Sequence, residues 1–126
     1  MKLPARATQR FGAAAAVILT LALFGIGGQP QAGQVFQGVF HWLAHLGAYA
    51  VIAVAFCYAL PRQHWLIAAA IVAAIGIAHE YYEIEAHAHS FESLDALVNA
   101  IGSACGAYIT NRFTRRRDTA TIPKAD

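Results

Sequence analysis

Charge is scarce in this sequence. Asp, Glu, Lys and Arg make up 13% of its 126 residues, against 58% that are apolar, whereas a soluble domain carries about 25% charged residues. The shortage is concentrated: residues 11–27, 39–60 and 65–78 contain no Lys, Arg, Asp or Glu, and residues 94–110 contain only Asp95. That distribution excludes an ordinary water-soluble domain. Cysteine is scarce too, and Cys57 and Cys105 both lie within apolar runs, where they act as small hydrophobes. No structural disulfide is expected, and neither sulfur lies near the polar residues discussed below, which argues against thiol chemistry. Internal repeats and low-complexity linkers are absent.

What remains is four apolar stretches. A hydrocarbon layer of roughly 30 Å takes about 20 helical residues to cross. The second stretch clears this length, and the first and fourth lie near the lower limit. The third reaches it only if its helix continues through His79, Glu80, Tyr81 and Tyr82. The expected fold is therefore all-α, a polytopic membrane bundle of four transmembrane helices over residues 11–112. A basic segment, 1–10, precedes it, and a basic tail, 113–126, expected to be disordered, follows it. The first stretch has one other reading, a cleaved signal peptide, because Lys2, Arg6 and Arg10 precede AAAAVILTLALFGIG. Against it, GQPQAG places Pro30 two residues ahead of Ala32, a poor cleavage site.

All nine basic residues, Lys2, Arg6, Arg10, Arg62, Arg112, Arg115, Arg116, Arg117 and Lys124, lie at the termini or in the turn PRQHW. By the positive-inside rule these regions are cytoplasmic, so both termini are inside and the chain is multi-pass. GGQPQAGQVFQG and HEYYEIEAHAHS then face outward. Five of the seven acids, Glu80, Glu83, Glu85, Glu92 and Asp95, fall in or beside the second of these, with no Lys or Arg among them. RFTRRRD follows directly on an apolar stretch and is short. It reads as an anchor on anionic membrane lipids and not as a nucleic-acid contact.

Residues four apart on a helix share a face. His41, His45 and Tyr49 form one such row; Asp95, Asn99, Gly102 and Gly106 form another; Glu80, Glu83 and His87 form a third if that helix is long enough. With alternating directions, all three rows meet near the outer boundary. Ionisable groups in spans are costly and turn away from lipid. A plainer account is that Asp95 caps its helix and that Asn99 and His45 bond between helices. GSACG is a GxxxG pattern, which suits close packing within the bundle or a homo-oligomer joined through Gly102 and Gly106. HEYYE begins like the zinc motif HExxH but has Glu83 where the second His is needed. No metal and no other cofactor is expected, although Glu83, His87 and His89 are of a type to give mixed nitrogen and oxygen donors.

Taken in order, His45, Tyr49, Glu80, Glu83, Ser90, Asp95, Asn99, Gly102 and Gly106 resemble the VanZ-like family of small bacterial membrane proteins, over residues 36 to 112. That family's pattern has an Asp-Lys pair, then His and Tyr; later come Glu, Gln three residues on, an Arg-Ser pair, Asp, Asn four residues on, and two glycines. Here His41 and Trp42 replace Asp-Lys, Glu83 replaces Gln, and His89 replaces Arg. The outer site thus changes from mixed charge to acid plus imidazole, and His41 or His89 can stand in for the lost cations only when protonated. The resemblance implies the bacterial cytoplasmic membrane, a cell-envelope role and an influence on susceptibility to glycopeptides such as teicoplanin. The polar rows and the resemblance together lead to the expectation of a lipid-linked or cell-wall-derived ligand held by His41, Tyr49, Glu83, His89, Ser90 and Asn99. Any catalysis would use Glu80 and Asp95 as acid and base, with His45 as relay. The rival reading is a structural module whose polar rows serve only helix packing.

The charge pattern gives a direct test of orientation. Reporter fusions after Arg117 and near Arg62 are expected to read cytoplasmic, and fusions near Gln34 and His87 external. An external C-terminus would overturn the placement of the polar rows.

Overall fold

The four apolar stretches are free of proline, which falls at positions 4, 30, 61 and 123, so nothing removes a backbone donor inside them. Each becomes a helix. The computed structural model describes residues 4–29, 31, 37–61, 63–87 and 90–119, and these form α1 (Ala5–Gly27), α2 (Val39–Ala59), α3 (Trp65–His87) and α4 (Ser93–Thr119). No strand occurs among the described residues. Pro4 precedes α1, and Gly38, with φ of 60°, starts α2 in a conformation that other residues rarely adopt. The third stretch does run on through His79, Glu80, Tyr81 and Tyr82, reaching His87. The fourth continues past Arg112 to Thr119, while residues 120–126 lie outside the described part.

Three of these helices, α1, α2 and α3 over Trp65–Ala86, are long and apolar enough to cross a membrane. α4 carries more polar residues, among them Asp95, Asn99, Ser103 and Thr110, yet all four of these are buried. Its exposed face carries Leu94, Leu97, Ile101, Tyr108, Ile109 and Phe113. These four polar groups face inward and the large apolar side chains face outward.

Distances between side chains give the directions. Gln9 donates to the Ala59 carbonyl at 3.2 Å, and Gly12 lies against Tyr58 and Ala59, so α1 runs antiparallel to α2. His41 meets Asp95 and His45 meets Asn99, so α2 and α4 are parallel. α3 runs against both, with Glu80 beside Asn99 at one end and the Trp65 ring 5.5 Å from that of Tyr108 at the other. The apolar centre is Tyr49, Ile52, Ala53, Ala69, Val72 and Ala107, flanked by Leu19, Leu23, Phe56, Cys57 and Trp65.

The widest helix contact is between α2 and α4, and small residues make it possible. A Cβ on Gly102 would lie 2.5 Å from the Leu46 carbonyl oxygen, and one on Gly106 would collide with the carbonyl of Ala50. Of the two uses open to the GxxxG pair, packing within the bundle is the one these contacts show. Backbone cannot yield as a flexible side chain can. Gly106→Ala is accordingly expected to destabilise the fold by about 1–3 kcal/mol, read as a lower unfolding midpoint in detergent. Gly47→Ala, on a position with nothing within 4 Å, should leave the midpoint unchanged or slightly raised.

Candidate functional site

Because α2 and α4 start at the same end, the first turns of both helices lie side by side. Asp95 sits in the first turn of α4, where backbone N–H groups favour an anion. It does not act chiefly as a cap for its own helix: the His41 ring donates from Nε2 to its Oδ2 at 2.7 Å. Asp95 Oδ1 is buried and has no hydrogen-bond partner.

One turn deeper, His45 Nδ1 lies 2.9 Å from Asn99 Oδ1. An amide oxygen can only accept, so His45 carries a proton on Nδ1 here, and in the neutral ring Nε2 is then a lone pair. The Asn99 amide then donates from Nδ2 to Glu80 Oε1 at 3.3 Å, and Ser103 donates to the Asn99 carbonyl at 2.7 Å. Asn99 thereby ties α2, α3 and α4 together. Asn99 and Ser103 are wholly buried, and Glu80 nearly so. Tyr49, also fully buried, lies with its ring 6.3 Å from that of His45, and its hydroxyl finds no partner. Gly76 makes room here, since a Cβ would sit 3.0 Å from Asn99 Cβ and 3.2 Å from the Tyr49 ring.

The other side of α3 faces α1. His79 is 2% exposed; its Nε2 donates to the Leu23 carbonyl at 3.3 Å, and its Nδ1 lies 3.5 Å from Glu83 Oε2 without forming a hydrogen bond. Phe24 packs edge-on against the His79 ring at 5.1 Å. A side chain on Gly27 would strike His79 Nε2, and one on Gly28 the Tyr82 hydroxyl. The C-terminal turn of α1 thus closes over α3 at glycine distance.

The expected rows are brought together for the most part. His41, His45, Tyr49, Glu80, Asp95 and Asn99 share one end of the bundle, with Glu83 beside them and 16% exposed. Ser90 lies exposed in the loop before α4. His89 falls outside the described residues. His79 was missed, as was the whole contribution of α1. The signal for His79 was present, because His79 and Glu83 are four apart on one helix.

No protein-family model, no curated protein and no solved structure matches this chain.

Asn99 links His45 and Glu80 through opposite ends of one amide, which makes it the testable centre of the array. A double-mutant cycle with His45→Phe and Asn99→Leu should give a coupling of about 0.5–1.5 kcal/mol in detergent unfolding. Additive effects would mean that the two side chains do not sense each other.

Proposed function

We propose that this chain is a four-span protein of the bacterial cytoplasmic membrane, both termini inside, whose outward-facing site binds or modifies the head group of a lipid-linked or cell-wall-derived ligand. The observation that carries this reading is a hydrogen-bonded array at one end of an otherwise apolar bundle, in which the half-buried His41 and His45 meet the buried Asp95 and Asn99, and Asn99 meets the buried Glu80. Glu80 and Asn99 are costly to place there, and a protein needing only packing could fill these positions with small apolar residues.

Membrane insertion of all four helices is supported by the apolar exterior of α4 and by two aromatic girdles. Trp42, Tyr81, Tyr82 and Phe91 are exposed at the site end, and Tyr58, Tyr108 and Phe113 at the opposite end. Trp42 and Tyr58 lie about 24 Å apart along α2 at 1.5 Å per residue, a spacing suited to the two interfaces of a bilayer. The site end is the one remote from Arg6, Arg10 and Arg112, so it faces outward under the positive-inside rule. In this reading the site lies at head-group depth. In an acting enzyme, Glu80 and Asp95 would exchange the proton, with His45 held ready by Asn99 through its bare Nε2.

A second reading draws on the same contacts. Asn99 satisfies both His45 and Glu80, so the array also works as a helix clamp, and the chain would then be a structural or assembly module.

Raised expression is expected to shift susceptibility to a lipid-bearing glycopeptide such as teicoplanin, and a lipid or cell-wall precursor should co-purify. Glu80→Gln and Asp95→Asn should abolish the shift while membrane levels stay normal, and Arg115→Ala, at the far end of α4, should preserve it. Site variants that protect like the parent chain would refute the reading. Variants that vanish from the membrane would favour the clamp.

A further inference from the structure

We propose that His79, Glu80 and Glu83 hold a divalent first-row transition-metal ion on the outer part of α3, beneath the C-terminal turn of α1. One ligand atom from each of these residues lies within 4.8 Å of the others, as the ligands of a single ion would. The inference goes beyond the envelope reading and does not depend on it.

The independent observation is the state of His79. A metal-binding histidine normally donates its second ring N–H to a carbonyl or carboxylate, which fixes the ring and aims the other nitrogen at the ion. His79 does this with Nε2 and the Leu23 carbonyl. Its Nδ1 is left as a lone pair, buried, without a hydrogen-bond partner, 3.5 Å from a Glu83 oxygen. Two lone-pair donors facing each other repel; a cation between them satisfies both. Glu80 is oriented in turn by the Asn99 amide, a supporting contact of the kind that metal-bound carboxylates have.

Charge points the same way. Glu80 and Glu83 lie on a nearly buried helix face, and no Lys or Arg occurs anywhere in residues 63–111. Asp95, the buried acid of α4, is engaged by His41. A carboxylate pair without a Lys or Arg to compensate it is costly in an apolar surrounding, and a divalent ion neutralises it. One imidazole nitrogen with two carboxylates suits zinc, manganese or iron(II) and disfavours both the soft, thiolate-seeking ions and calcium. Three protein ligands leave a coordination position open.

His41, His45 and Asp95 form a second cluster of similar dimensions. It is the weaker candidate, since His41 Nε2 and Asp95 Oδ2 are already bonded to each other at 2.7 Å and the His41 side chain is 32% exposed. The proposal departs from the metal-free expectation for HEYYE. That expectation sought a second histidine at position 83, whereas a glutamate there is itself a common zinc ligand.

The test uses the full chain in detergent, stripped with a chelator and retitrated with zinc, manganese or cobalt(II). Metal per chain is measured after gel filtration, together with the melting temperature and the cobalt optical spectrum. About one ion per chain, a raised melting temperature and cobalt d–d bands of imidazole-ligated type are expected. His79→Gln and Glu83→Gln should each weaken binding by at least about tenfold, and His41→Gln should not. Failure of the parent chain to retain any of the three ions overturns the proposal without reference to any variant. So does equal retention by His79→Gln, which would mark adventitious binding to surface acids, or loss with His41→Gln in place of His79→Gln.

Discussion

The close parallel contact between α2 and α4 is the constraint on which the rest depends. Gly102 and Gly106 let α4 approach the carbonyls of Leu46 and Ala50, and only at that separation do His41 and His45 reach Asp95 and Asn99. Parallel packing also brings two helix N-termini together, so their dipoles reinforce each other instead of cancelling. Asp95 sits where that field favours a negative charge. Antiparallel packing of the same helices would leave the carboxylate without this support and the two histidines without partners.

Asn99 carries the arrangement across to α3. Its amide accepts from His45 and donates to Glu80, so one side chain sets the tautomer of a histidine and the orientation of a buried acid on two different helices. α1 contributes mostly backbone to the same end: the Leu23 carbonyl fixes the His79 ring, and Gly27 and Gly28 admit the helix to van der Waals distance. A binding reading, a catalytic reading and a metal reading all draw on these contacts. They differ in what stands among Glu80, Glu83 and His79.

Much of the plan was legible from the chain. Four apolar stretches became four helices, because their composition leaves the backbone no better way to pair its own hydrogen bonds in an apolar surrounding. The rows at His41, His45, Tyr49 and at Asp95, Asn99 were visible from four-residue spacing alone. His79 was harder to see, because HEYYE matches the start of the HExxH pattern, which obscures the four-residue spacing of His79 and Glu83. The glycine pair was ambiguous for a physical reason: GxxxG specifies close approach and says nothing about which helix approaches.

The sequence by itself determined the elements, their apolar character, the segregation of basic residues from acidic ones, and which polar residues share a helical face. These follow from local composition and from a 3.6-residue period, and neither needs a partner. Only the tertiary structure decided that α4 presents its polar residues inward to α2 and α3, that Asp95 bonds His41 more than it caps its own helix, and that α1 closes over His79. Those outcomes depend on the distance and direction between helices, and such distances are fixed by side chains far apart in the chain meeting at glycine-sized gaps.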